Sequence, residues 1–419
     1  MAEPAAEDVL LNKKKALTAP ELDLLSKQEL VLKVLQLQSH NAQLRNLLAK
    51  KCFQPEVRSR KERPFDFDRC RTQHIFLRVL YLGWDYQGFA CQEDSSNTIE
   101  HHLMNALLKC KLIKNRETSN YHRCGRTDKS VSSFGQVISL TVRAANIQEP
   151  DLPYCRMLNR VLPSDIRAVA WRSADVGASS RFDCRSRTYR YFFPKSNLNL
   201  TAMEEAAKYL IGSHDFRNLC KMDVANGVTD FTRRIEFADI SAVNSDDNGY
   251  QMCQLKIVGN AFLWHQVRCI VSILLLVGQR LEAPSIVKDL LDVDRNPRKP
   301  QYFLACPKPL NLFKCAFDTN DWNVDDDEIV KLIETMQSHW TELQIKSTHV
   351  RAMLEELEPL AGQKIFGHVS ALLRKESRVY KPLLLRSKCQ SLEERVDHYA
   401  KKRRTDCSST AEIQKMEDG

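Results

Sequence analysis

The sequence predicts an α+β fold, and three features of the chain carry that reading. Apolar residues fall on alternate positions at 75–81, 136–142, 166–171, 188–193, 235–243 and 252–258, the pattern of strands with one buried face. Helical spacing interrupts these segments near 98–111, 201–211 and 264–280. At 419 residues the chain also exceeds one ordinary domain, which leaves room for two similar α/β halves and terminal extensions.

From the N-terminus, residues 1–20 read as disordered, and their acidic and small residues predict no secretory or mitochondrial leader. A helix is expected over 22–52, where Leu30, Val34, Leu37, Leu44 and Leu48 keep alternating spacings of four and three and Asn41 takes the remaining place. That register describes either a short two-stranded coiled coil, aligned by the polar Asn41, or an amphipathic helix packed on its own domain. A basic linker over 53–72 carries Arg58, Arg60, Lys61, Arg63 and Arg69, as a phosphate-tracking or nuclear-targeting segment or as a solvated tether. The body divides into 73–180 and 181–320.

Within the body, the longest apolar run is Cys269–Gly278, bracketed by Arg268 and Arg280. It falls well short of the roughly 20 residues that a membrane helix needs, so a buried helix is expected and no membrane partner. Beyond it, 321–419 forms an extension. The acidic run Asp325–Glu328 suits a helix N-terminus, and Ile329, Leu332, Ile333, Met336, Trp340 and Leu343 follow on one helical face. In the tail, Lys401–Arg404 reads as a nuclear-localisation patch or as solvated chain.

Composition narrows the class. With 62 Lys+Arg against 53 Asp+Glu, the net charge of +9 suits a polyanionic partner without requiring one. Fourteen cysteines occur with no Cys-x-x-Cys spacing, which indicates neither a zinc site nor a disulfide framework; they read as reduced thiols of a nuclear or cytosolic protein.

The segment most informative about chemistry is Cys124-Gly125-Arg126-Thr127-Asp128-Lys129-Ser130-Val131, where a glycine turn presents a cation and a carboxylate side by side between a helix and a strand. Alone, an Asp beside Gly is as readily a turn or cap residue. The full run resembles the Gly-Arg-Thr-Asp motif of the TruA family of tRNA pseudouridine synthases, and other blocks match in the same order. Tyr81-Leu82-Gly83-Trp84-Asp85-Tyr86-Gln87-Gly88-Phe89 is similar to the family's first strand and glycine turn. Leu162-Pro163-Ser164-Asp165-Ile166 is similar to its Leu-Pro-x-Asp-Ile segment, and Gly212-Ser213-His214-Asp215-Phe216 to its Gly-x-x-Asp-Phe turn. Arg181-Phe182 and Arg187-Thr188-Tyr189-Arg190-Tyr191 resemble the strand with the active-site tyrosine; Asn260 through Arg268 resembles the segment with the active-site arginine. The likeness runs from Ile75 to Phe317, ending near Pro309-Leu310-Asn311-Leu312. The wording of 214–223 and of Phe262 through Arg268 is most similar to the eukaryotic branch acting at tRNA positions 38 and 39.

This resemblance implies two α/β subdomains whose antiparallel sheets join across a central RNA-binding cleft, and a homodimer. It implies Asp128 as the catalytic carboxylate, with Tyr189, Arg126 and Arg268 binding substrate and Trp264, His265 and Leu310 as supports. Pseudouridine formation breaks the bond from ribose C1′ to uracil N1, turns the base and rejoins it through C5, without net change in atoms or electrons. No cofactor and no metal are therefore implied. Asp128 would act either as a nucleophile or as a base at the C2′ proton, and both roles call for an ionised carboxylate, which a nearby arginine favours. A uridine in an anticodon stem-loop must leave its stack to be reached. Arg126 is the candidate to fill the gap, and Tyr189 to stack beneath the flipped uracil.

Two positions depart from the family pattern: Ser130 stands where glycine is usual and Ser133 where alanine is usual. A serine forced to positive φ costs on the order of 1 kcal/mol and would displace Asp128 if the loop relaxed. The departure leaves a second reading open, a tRNA-binding protein that holds the anticodon stem-loop without modifying it.

Overall fold

The structure, a computed structural model, describes residues 65–243, 249–319, 321–374 and 379–399. The expected coiled-coil helix over 22–52, most of the basic linker and Lys401–Arg404 lie outside the described residues. All the elements below belong to the unit Asp66–Gly419.

Nine strands form one mixed sheet among the described residues. Strands β1 (Thr72–Tyr81), β2 (His122–Arg123), β3 (Ser132–Arg143) and β4 (Ile166–Ala174) make one half of it. The other half contains β5 (Ser186–Pro194), β6 (Gly212–Asp215), β7 (Thr232–Ala242), β8 (Met252–Gly259) and β9 (Leu310–Ala316). The order is β4-β1-β3-β9-β5-β8-β7-β6, with β2 pairing β3 to one side. Every pairing is antiparallel except the one between halves, where Ser132 and Ser133 lie parallel to Asn311 and Leu312. Ser133 explains the closeness of that join, since its hydroxyl donates to the Leu312 carbonyl at 2.7 Å.

The halves bury their strands differently. In β1 the odd positions Ile75, Leu77, Val79 and Tyr81 pack with Leu103 and Leu107 of α1 (Ile99–Lys109) and with Tyr154 and Leu158 of α2 (Tyr154–Asn159). Even positions are also covered: Phe76 meets Phe317 edge-on, and Leu80 packs with Val169 and Leu332. Strands β7 and β8, by contrast, alternate buried with less buried positions, as one-sided sheets do. Their inner face packs with α3 (Leu200–Lys208), α4 (Gln266–Gly278) and α5 (Ile286–Leu291) in a second core. Every residue of α4 except Arg268 is buried, which bears out the buried-helix expectation.

The acidic run also behaves as expected. Asp325 caps α6 (Asp326–Leu357) by accepting from the Glu328 N–H, and Arg156 of α2 grips the same carboxylate with two nitrogens at 3.1 and 3.0 Å. Only Leu332 of α6 is buried; Ile329 and Met336 are partly so, while Ile333, Trp340 and Leu343 of the expected stripe stay exposed. No helix of the described residues is long and apolar enough to cross a membrane.

Two segments differ from their sequence reading. Gly212–Asp215, read as a turn, is the edge strand β6, paired with Thr232–Ile235; its polar alternation carried no strand signal, and only the pairing partner makes it one. Pro309-Leu310-Asn311-Leu312, read only as the end of the family likeness, opens β9, the strand that joins the two halves.

Candidate active site

The loop Cys124–Val131 is held from three sides. At its start the Cys124 N–H donates to the Val137 carbonyl, and the fully buried Gln136 amide clasps Gly125, accepting from its N–H at 3.3 Å and donating to its carbonyl at 2.9 Å. In its middle, the Thr127 hydroxyl lies 2.8 Å from the Tyr81 hydroxyl, and the Thr127 carbonyl accepts from the Phe89 N–H. At its end Ser130 N–H donates to the Tyr86 carbonyl, and Val131 N–H closes a turn on the Asp128 carbonyl. The glycines of the preceding turn make this contact possible. A Cβ on Gly88, at φ +110°, would sit 3.0 Å from the Thr127 carbonyl oxygen, and one on Gly83 would collide with the Val131 carbonyl at 1.9 Å.

A buried carboxylate supports this socket. Glu100 accepts from the Cys91 N–H at 2.7 Å and from the Arg123 and Arg116 guanidinium groups at 2.7 and 3.2 Å. Burial alone would raise its pKa, but the Cys91 N–H and the two arginines outweigh it and hold the carboxyl below its ordinary value. The sequence offered no sign of this residue beyond an acidic position in the first turn of α1.

Asp128 meets the other half of the molecule through its Oδ2 atom. Arg268 Nη1 donates to it at 3.2 Å, and His265 Nε2 lies at 3.3 Å. No hydrogen bond reaches Oδ1 among the described residues. Arg268 is turned toward Asp128 by a second bond, from Nε to the Ala305 carbonyl at 2.9 Å. Ser272, one helical turn on, links the Arg268 carbonyl to the Ala305 N–H, so the arginine rests on a fixed strand of contacts. His265 precedes α4 with left-handed backbone, φ +61°, a conformation that costs a non-glycine residue energy and is held here by the packed helix behind it. Burial depresses the His265 pKa to about 4, with Arg268 and Lys221 adding to the fall and Asp128 opposing it. The imidazole is therefore neutral near pH 7, and its Nδ1 is buried without a partner.

The other expected site residues divide. Arg126, two residues from Asp128, is exposed and makes no hydrogen bond or ion pair among the described residues. Tyr189 lies on β5 with its ring edge-on to Phe262 at 5.1 Å, and burial raises its hydroxyl pKa above the ordinary phenol value. Neither Arg126 nor Tyr189 is hydrogen-bonded to Asp128. Trp264 is half-exposed, under Lys221 Nζ at 4.0 Å and beside the His265 ring. Leu310 is buried core of β9, next to Tyr191 in the strand register. His265, expected as a support, lies directly against the carboxylate; Gln136 was not among the expected site residues.

Comparison with known proteins bears on what such a site does. A family profile described as tRNA pseudouridine synthase matches residues 206–318, which include His265 and Arg268. The bovine tRNA pseudouridine(38/39) synthase is 43% identical over 384 residues, covering 82% of this chain and 80% of that protein. The chain belongs to the tRNA pseudouridine synthase family. The Saccharomyces cerevisiae tRNA pseudouridine(38/39) synthase is 36% identical, with 82% of each chain covered. The archaeal tRNA pseudouridine synthase A of Methanothrix thermoacetophila is 33% identical over 60% of this chain and 86% of its own.

For a member of this family the serine at 130 is the telling position. Its φ is +64°, so the backbone does demand the conformation that glycine adopts freely. The loop has not relaxed around it: the Ser130 N–H keeps its bond to Tyr86, and Asp128 keeps its contact with Arg268.

Proposed function

We propose that the chain isomerises uridine to pseudouridine in the anticodon arm of tRNA, at positions 38 and 39. The observation that carries this reading is the Asp128 carboxylate, whose Oδ2 is engaged by Arg268 and His265 while Oδ1 takes no hydrogen bond among the described residues. A carboxylate fixed through one oxygen and open at the other can attack ribose C1′ or take the C2′ proton. Arg126, adjacent and without a polar partner among the described residues, is the group to enter the stack vacated by the uridine, and the Tyr189 ring the one to lie against the flipped base. Trp264, His265 and Leu310 position these groups.

In this reading the two halves of the sheet act as subdomains, and RNA lies in a cleft across their join. An inactive tRNA binder would need no carboxylate poised between an arginine and a neutral histidine. Incubating the purified chain with unmodified tRNA transcripts and mapping pseudouridine by chemical derivatisation and reverse transcription tests the proposal; no new pseudouridine at 38 or 39 would refute it. The chain is further proposed to work as a homodimer in the nucleus. Light scattering that gives a monomer at micromolar concentration would end the first claim, and a cytoplasmic fluorescent fusion the second.

A further inference from the structure

Three cysteines, far apart in the chain, meet where the segments of the site converge. Cys124 opens the Asp128 loop, Cys184 stands just ahead of β5, and Cys315 lies on β9. Their Sγ atoms all fall within 4.8 Å of one another, and the residues are 4%, 8% and 8% exposed. None forms a disulfide. Among the described residues no imidazole or carboxylate joins the group, so the donor set is sulfur alone.

Arg187 supplies a second and independent observation. Its guanidinium donates to the carbonyl oxygens of Cys124 and Arg181, each at 3.0 Å, and of Asn260 at 2.5 Å. It stands opposite Cys315 in the β5–β9 register. No carboxylate pairs with it among the described residues.

We propose that Cys124, Cys184 and Cys315 form a site for one divalent thiophilic cation of the zinc class, which ties the Asp128 loop to β5 and β9. All-sulfur sites select soft or borderline ions over magnesium or calcium. Sulfurs about 2.3 Å from a tetrahedral zinc lie about 3.8 Å apart, so the widest pair has to close by about 1 Å at most. Charge favours a divalent ion. Three thiolates and a divalent cation leave one negative charge, which Arg187 neutralises; a monovalent ion would leave two, of which Arg187 could cancel one. On binding, the three thiols lose their protons to solvent, and the fourth position of the ion falls to a ligand from solution. The ion acts on the fold rather than the reaction, because it favours the folded state by linkage and joins strands that local spacing keeps apart.

The test uses the full chain, reduced and stripped with a chelator, then titrated with cadmium(II) while thiolate-to-metal charge-transfer absorption is followed. One equivalent is expected to bind, to be displaced by zinc(II), and to raise the melting temperature. Cys184→Ser should lose that equivalent, whereas Cys91→Ser, which removes an exposed cysteine, should keep it. Where circular dichroism shows that Cys184→Ser does not fold, Cys315→Ala takes its place. Absence of saturable binding at one equivalent, or a band unaffected by the cluster variant, overturns the site. Tight binding of copper(I) alone overturns the divalent assignment.

Discussion

Asp128 is held in a loop by hydrogen bonds from β1, a glycine turn and β3, whereas the residues that grip it, His265 and Arg268, stand at the start of a helix whose remaining residues are buried. The first arrangement sets geometry with polar contacts that are each worth about 1 kcal/mol net. The second couples the site to the core. Changes on the loop side should therefore act mainly on turnover, and changes on the helix side on turnover and stability together.

The sharpest break in that comparison comes from Asp128→Asn, expected to abolish isomerisation while tRNA affinity stays within a few-fold. The amide keeps the shape but cannot serve as base or nucleophile. Retained turnover would remove Asp128 from the chemistry, and a large fall in melting temperature would show that the loop side also carries stability.

On the helix side, Arg268→Ala should lower activity and stability together, by less than the roughly 3 to 5 kcal/mol of a fully buried pair, because the carboxylate it strands is only part-buried. Denaturant unfolding measures this. An unchanged midpoint would mean that the ion pair is not coupled to the core.

His265 sharpens the same contrast through pH. Its folded pKa of about 4 lies below the ordinary 6.5, so the unfolded chain binds the extra proton first. Its contribution is complete above about pH 6.5 and is lost as pH falls through 4, by at most roughly 3 to 4 kcal/mol at 1.36 kcal/mol per unit. Unfolding free energies at pH 7 and 5 should differ less in His265→Gln than in the parent chain. Equal differences would place the proton-sensitive group elsewhere.

The smallest effect is expected at Ser130, where glycine would relieve about 1 kcal/mol of left-handed strain. Ser130→Gly should raise stability by about that amount and the rate only modestly, since the loop already holds Asp128 against Arg268. A parent chain inert on every tRNA beside an active Ser130→Gly form would show that strain at this position, and not the fold, decides turnover.

Much of the molecule was legible before its structure. Alternation located β1, β3, β4, β5, β7 and β8, helical spacing located α1, α3 and α4, and the acidic run located the start of α6. Family wording singled out Asp128, Arg126, Tyr189 and Arg268, and the structure pairs Asp128 with Arg268. What escaped was set by distant partners. β6 is four mostly polar residues that become a strand only beside β7, and β9 joins the halves through two residue pairs with β3.

By itself, then, the sequence determined most of the longer strands and helices, and which residue types arrive at the site, because both follow from local periodicity and from motifs read in order. The tertiary structure decided who touches whom. It put His265 against the carboxylate, set Gln136 around Gly125, joined the halves at Ser132–Ser133 and gathered Cys124, Cys184 and Cys315. Asp128 and Arg268 stand 140 residues apart, and a contact across that separation comes from sheet order and core packing, which no local spacing encodes.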